Sequence, residues 1–283
     1  MNRLIGYGMP LVAIAALIGM PGESDACWRR GRACPTACPT VQYQYCPPLD
    51  VAPSIKVTSK KTGRVYAISD TGESEAHEKD VRPFNPLAKG IDPLNSFTGK
   101  ARRVAKVSIA NAPMEDFDSV TDLLAGPNKL KSDSSMIALD IPHGSDSDRV
   151  AAEKRNIRVR AFLYAFKKEG DNDYHVIIGD PPGTPDLRYF NVEISALPTD
   201  EDGPTAEAKA KLKAARTTFK SFFALGESGP GSYQKPNPPV EVIVAGSAFW
   251  DADHPPPNTV GPSLHKPKTA WEIHPITSIE FEP

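Results

Sequence analysis

The sequence predicts a mainly β protein: a C-terminal barrel of five strands with one helix between strands three and four, preceded by an irregular β-containing extension. Three observations carry this. Five runs rich in β-branched and aromatic residues fall between Asn156 and Phe281, separated by clusters of Gly, Pro, Asn and Asp. Within that region one stretch, from Pro204 to Leu225, repeats its apolar residues at helical spacing. The link between the first two runs, Glu169 to Asp173, leaves no room for a helix, which excludes a ferredoxin-like sandwich.

Asn156 to Lys168 is the first predicted strand, with Arg158, Arg160 and the aromatics Phe162, Tyr164 and Phe166. Gly170-Asp171-Asn172-Asp173 turns the chain into the second, Tyr174 to Ile178. Asp180-Pro181-Pro182-Gly183 breaks it, and Arg188 to Ala196 is the third. Asp202-Gly203-Pro204 then opens the helix, with Pro where a missing N–H is harmless, and Gly226 is the stop signal. Ala208, Leu212, Ala215, Phe219 and Phe222 form one apolar face, so Leu212, Phe219 and Phe222 are expected to plug one end of the barrel. Lys209, Lys213, Arg216 and Lys220 form a basic stripe expected to face water. Val240 to Phe249 is the fourth strand, apolar enough to be buried on both faces. Ala270 to Phe281 is the fifth, bent or edged at Pro275, which cannot donate to a ladder. The order strand, strand, strand, helix, strand, strand resembles the OB-fold, a partly open five-stranded barrel.

Residues 1–26 read as a secretory signal peptide: Arg3 is followed by the apolar run Leu4 to Met20 and by Ser24-Asp25-Ala26, with small residues at −3 and −1 for cleavage. Lipid anchoring at Cys27 is a minor alternative. Residues 27–50 form a Cys/Pro-rich tail holding all four cysteines, Cys27, Cys34, Cys38 and Cys46. An even count in an oxidising compartment predicts two disulfides, with three pairings open. Residues 51–150 read as an irregular extension, and residues 151–283 as the barrel. In the extension, Ser54 to Ser59 and Arg64 to Ser69 suit a hairpin; Arg102 to Ala110 and Ser134 to Ile141 read as strands, and Asp116 to Leu124 as a short helix. No transmembrane span is expected in the mature chain.

Thirty-three Lys and Arg against 35 Asp and Glu leave a net charge of −2, so no global basic field draws the chain to nucleic acid or anionic lipid. The chemistry-bearing residues gather in three polar clusters. Asp171, Asp173 and His175 surround the first barrel turn. Asp251, Asp253 and His254 follow the fourth strand. Glu272 and His274 lie in the fifth. Strand periodicity puts Asp173 with His175, and Glu272 with His274, on common faces. In an OB barrel the strand one–two and four–five loops share one mouth, so all three clusters are expected to meet at that rim.

The three motifs Asp171-Asn172-Asp173-Tyr174-His175, Phe249-Trp250-Asp251-Ala252-Asp253-His254 and Trp271-Glu272-Ile273-His274-Pro275 together resemble a family of uncharacterised exported bacterial proteins. The likeness covers roughly residues 150–283 and implies an OB-like barrel without an established activity. The staphylococcal-nuclease-type barrel is more distantly similar: Gly170-Asp171 matches a Gly-Asp pair in its first turn, but Arg188 and Glu193 do not match the spacing of its catalytic residues.

Two functions follow. The favoured one is a non-enzymatic binding or scaffold module at the cell envelope or outside the cell, without a cofactor, with Tyr174, Tyr189 and Phe190 offered to a glycan or protein partner. Nucleic acid is disfavoured because Glu169, Asp171 and Asp173 acidify the rim. The alternative is a metal-dependent hydrolase. There His175, His254 and His274, with Asp173, Asp251 and Glu272, would hold a divalent ion that activates water. Neither an H-E-x-x-H run nor a Gly-x-Ser-x-Gly elbow is present.

Overall fold

In the computed structural model the described residues are 54–74, 92, 94–199, 202 and 204–283. The segment read as a signal peptide, residues 1–26, and the four cysteines with their expected disulfides therefore lie outside the described residues. The elements run β1 (Ile55–Thr58), β2 (Val65–Asp70), α1 (Arg103–Val107), β3 (Met114–Phe117), α2 (Val120–Ala125), α3 (Asp133–Ile137), β4 (Asn156–Lys168), β5 (Tyr174–Gly179), β6 (Tyr189–Ile194), α4 (Ala206–Phe222), β7 (Gln234–Asn237), β8 (Val240–Trp250) and β9 (Trp271–Phe281).

Five strands close on themselves in the order β4-β5-β6-β9-β8, and β8 returns to β4. The closing pair is antiparallel, from Asn156 opposite Ser247 to Leu163 opposite Val240. The β6–β9 pair is parallel, with Asn191 opposite Glu272 and Val192 opposite Ile273. This is the strand order of the OB barrel, with α4 between its third and fourth strands. A bulge at Leu163/Ala165 bends the long β4, so that one strand serves both β5 and β8.

Alternation decides what fills the barrel. Tyr174, Val176 and Ile178 of β5, Phe190, Val192 and Ile194 of β6, and Val240, Val242 and Val244 of β8 all belong to the main apolar core. On α4, Leu212, Ala215 and Phe219 are buried as expected. Phe219 meets Phe166 and Tyr174 at ring separations of 5.3 and 5.2 Å, and the half-buried Phe222 stacks flat on Phe281 at 3.9 Å.

The basic stripe of α4 departs from expectation at Arg216. It is buried, its guanidinium lies 4.7 Å over the Tyr174 ring, and Nη1 faces the carbonyls of Ile194 and Ser195. The helix also begins later and ends earlier than its sequence signals. Thr205 caps it by accepting from the Ala208 amide, leaving Pro204 outside. It ends before Gly226, where Ala224 takes the left-handed conformation (φ 51°).

The extension is built into the same sheet. The hairpin β1–β2 forms, and β2 pairs through β7 with β4. β3 adds to β4 in parallel. Two predicted strands are helices instead: Arg102 to Ala110 contains α1, and Ser134 to Ile141 overlaps α3, which Ser132 caps. Asp116 to Leu124 splits into the end of β3 and most of α2. Local propensity is overridden here by distant contacts. Arg102 at φ 48° sends its side chain inward to Glu153, and this starts α1. β7 carried no signal because Pro236 and its polar neighbours look like a loop; its place comes from backbone pairing with β2.

Candidate functional site

The first barrel turn, the start of β5, the end of β6 and the start of β9 lie side by side. His175 pairs with Glu193 across β5–β6, and Asn191 with Glu272 across β6–β9. Because Tyr174, Val192 and Ile273 point into the barrel, His175, Asn191, Glu193, Glu272 and His274 point out of it. The sites expected at the barrel mouth are therefore gathered near that end but on its outer wall.

There they are covered by residues 95–107. The Phe97 ring stands edge-on to His274 at 6.5 Å, and Thr98 donates its amide to the Asp171 carbonyl. Asn172 reaches the Ser96 carbonyl at 2.8 Å. Gly99 permits this closeness, since a Cβ there would stand 3.1 Å from Asp171 Oδ2 and 2.6 Å from the Phe97 ring. From the barrel side, Phe249 packs on His274 at 5.5 Å.

Two sets of ligand-type atoms result, each gathered within 4.8 Å: Asp173, Glu193 and His274, and Glu169, His175 and Glu193. Glu193 is common to both. His274 Nε2 lies 3.2 Å from Asp173 Oδ2, and His175 Nδ1 lies 3.3 Å from Glu169 and 3.4 Å from Glu193. Asp173 and His274 are 1% exposed and Glu193 is 5% exposed. Asp173 Oδ1 accepts the Ala196 amide at 2.5 Å. Its Oδ2, Glu193 Oε2 and both nitrogens of His274 make no hydrogen bond of proper geometry among the described residues. Buried polar atoms left this way cost on the order of 1–3 kcal/mol each.

The electrostatics are those of crowded acids. Burial, followed by the neighbouring Asp173 carboxylate, pushes Asp171 up to about 7. Burial likewise pushes Asp173 up to about 7, with Glu169 adding to it. Burial and the carboxylates of Glu169 and Glu272 raise Glu193 well above the usual range. Burial lowers His274 to about 4, with Lys106 and Arg149 pushing the same way, so its imidazole is neutral. Glu169 is held low against its burial by His175, Lys167 and Lys106. A cation among these groups would reverse the cost of ionising the three raised acids.

The remaining predicted residues divide. Glu272 joins the wall, accepting from Asn191 Nδ2 at 2.7 Å. Asp251 and His254 form their own pair at 2.6 Å, which raises His254 to about 9, and take no part in either ligand set. Asp253 faces the exposed His143 at 3.0 Å. Tyr174 and Phe190 are fully buried in the core, so neither ring offers a free face to a ligand. Tyr189 is half-buried against Tyr164 and His265. Sequence reasoning missed Glu193 as a ligand-type residue. Its signal was the alternation Phe190-Asn191-Val192-Glu193-Ile194, polar on one face of a predicted strand.

No family model, curated protein or solved structure matches this chain. No helix among the described residues is long and apolar enough to cross a membrane.

Proposed function

We propose that this protein is a non-enzymatic binding module that holds a divalent transition-metal ion at Asp173, Glu193 and His274, on the outer wall of the barrel. One observation carries the reading: three donors converge, all buried, and Glu193 Oε2, Asp173 Oδ2 and both His274 nitrogens lie close together without a hydrogen bond of proper geometry among the described residues. One imidazole nitrogen with two carboxylates suits Zn²⁺, Mn²⁺ or Fe²⁺ better than Ca²⁺ or Mg²⁺, which prefer all-oxygen sets. Burial of the three donors, with the Phe97 ring edge-on to His274, favours a closed centre over a hydrolytic one, because a catalytic ion keeps a position open for water. The family resemblance and export by residues 1–26 belong to the same reading, which places the module at the envelope or beyond it.

Metal analysis of the full chain tests it. Chelator-stripped protein is expected to take up Zn²⁺ or Co²⁺ in stoichiometric amount, and Co²⁺ is expected to give a visible spectrum. Glu193→Gln and His274→Ala, each still folded by circular dichroism, are expected to lose that uptake. A folded, stripped protein that binds none of Zn²⁺, Co²⁺ or Mn²⁺ would overturn the proposal.

A further inference from the structure

A cavity of about 530 Å³ lies on another part of the molecule, between the segment after α2, the start of β6 and the loop before β9. That volume falls in the range of small-molecule sites. Its cations are Lys129, Lys131, Arg188, Lys266 and Lys268, against two carboxylates, Asp133 and Asp186. Asp133 is already engaged: its Oδ1 accepts from Trp250 Nε1, Thr269 Oγ1 and the Ala270 amide. None of the five cations makes an ion pair among the described residues. These cations come from three separate stretches of chain, so the charge is assembled by the fold in a molecule whose net charge is −2.

The walls are fixed and partly apolar. Trp271 Nε1 donates to the Lys131 carbonyl at 2.7 Å, which ties the segment after α2 to β9. Leu124, Leu130 and Leu187 line the apolar part. The Tyr189 ring is held at 82° to Tyr164 and 87° to His265. We infer that this cavity binds a small organic phosphate ester carrying at least two negative charges, its anionic end among the lysines and Arg188 and its organic part against Tyr189 and the leucines. Lysine ammonium groups serve phosphate as point charges, and the arginine fork adds a directed pair of donors.

Calorimetric titration of the full chain at low and moderate salt tests this, with ADP and inorganic pyrophosphate as probes and adenosine and citrate as controls. ADP is expected to bind at least tenfold more tightly than adenosine or citrate, and to weaken as salt rises. The double variant Lys131→Glu, Lys268→Glu and the single variant Arg188→Ala change exposed side chains only. Each is expected to keep the wild-type circular dichroism and melting point, and the double variant to lose at least tenfold in ADP affinity. Absence of ADP and pyrophosphate binding overturns the inference, as does binding that the charge-reversed variant retains. Citrate binding as tightly as ADP overturns the phosphate assignment. A single-stranded oligonucleotide binding far more tightly than ADP overturns the small-ligand assignment.

Discussion

Arg102 and Glu153 carry opposite charges into the interior, at 2% and 0% side-chain exposure, and meet through two bonds of 2.7 and 2.6 Å. Glu153 also accepts the amides of Val150 and Trp250 at 2.8 and 2.9 Å. Arg102→Ala leaves that carboxylate buried without its partner and is expected to cost about 3–5 kcal/mol in chemical denaturation. Replacing both residues by Met is expected to remain destabilising by roughly 1–3 kcal/mol, because the buried Trp250 amide and the partly buried Val150 amide then lose their acceptor. His265 carries a pH dependence of its own. Burial between Tyr164 and Tyr189, with Lys235 nearby, lowers it to about 4 from an ordinary 6.5. Between those values the unfolded chain binds the additional proton, so stability falls as pH drops from 6.5 towards 4, by about 2 kcal/mol after allowance for solvent screening. Denaturation of His265→Gln across this range is expected to lack that part of the slope.

Two backbone positions set how the barrel's elements end and bend. The β8–β9 register shifts around Gly246, where a Cβ would stand 2.2 Å from the Pro275 carbonyl oxygen and 2.9 Å from the Ile276 Cα. The partners are mostly backbone and cannot swing aside. Gly246→Ala is therefore expected to destabilise by more than about 2 kcal/mol, seen as a lower urea midpoint. The register shift thus falls beside Pro275, where the sequence predicts the fifth strand to be bent or edged, with Gly246 on the facing strand. At the end of α4 the opposite holds. Ala224 sits at φ 51°, a conformation costing an L-residue with a Cβ about 1 kcal/mol, so Ala224→Gly is expected to raise the thermal midpoint by a few degrees. The sequence signal for this stop, Gly226, is two residues too late.

Across the molecule, charge is segregated. Asp171 and Asp173, acids of the first barrel turn, are buried beside residues 95–107, while five cations without an ion pair among the described residues surround the cavity beside β6. The extension is therefore a cover as well as an edge of the sheet. A fragment starting at residue 151 would expose the Asp173, Glu193 and His274 wall and the Phe249 ring to water. It is expected to unfold at a lower temperature than the full chain and to bind a hydrophobic dye more strongly. Unchanged melting of that fragment would show that the cover contributes nothing.

Patterning along the chain was enough for the barrel: five β-rich runs, one amphipathic helix and the short links between them leave few ways to bury their apolar faces. It also marked Asp173, His175, Glu272 and His274 as residues that meet, because alternation puts them on common strand faces. The wall they occupy was decided by tertiary packing. Whether an outward face meets water or is roofed over depends on where a remote segment lies, and α1 and its approach are held by Arg102 and by Arg103, whose partner Asp202 is nearly a hundred residues away. Such contacts have no local period. The same reason hid β7, the burial of Arg216 and the assembly of the basic cavity, each of which exists only where distant stretches of chain come together.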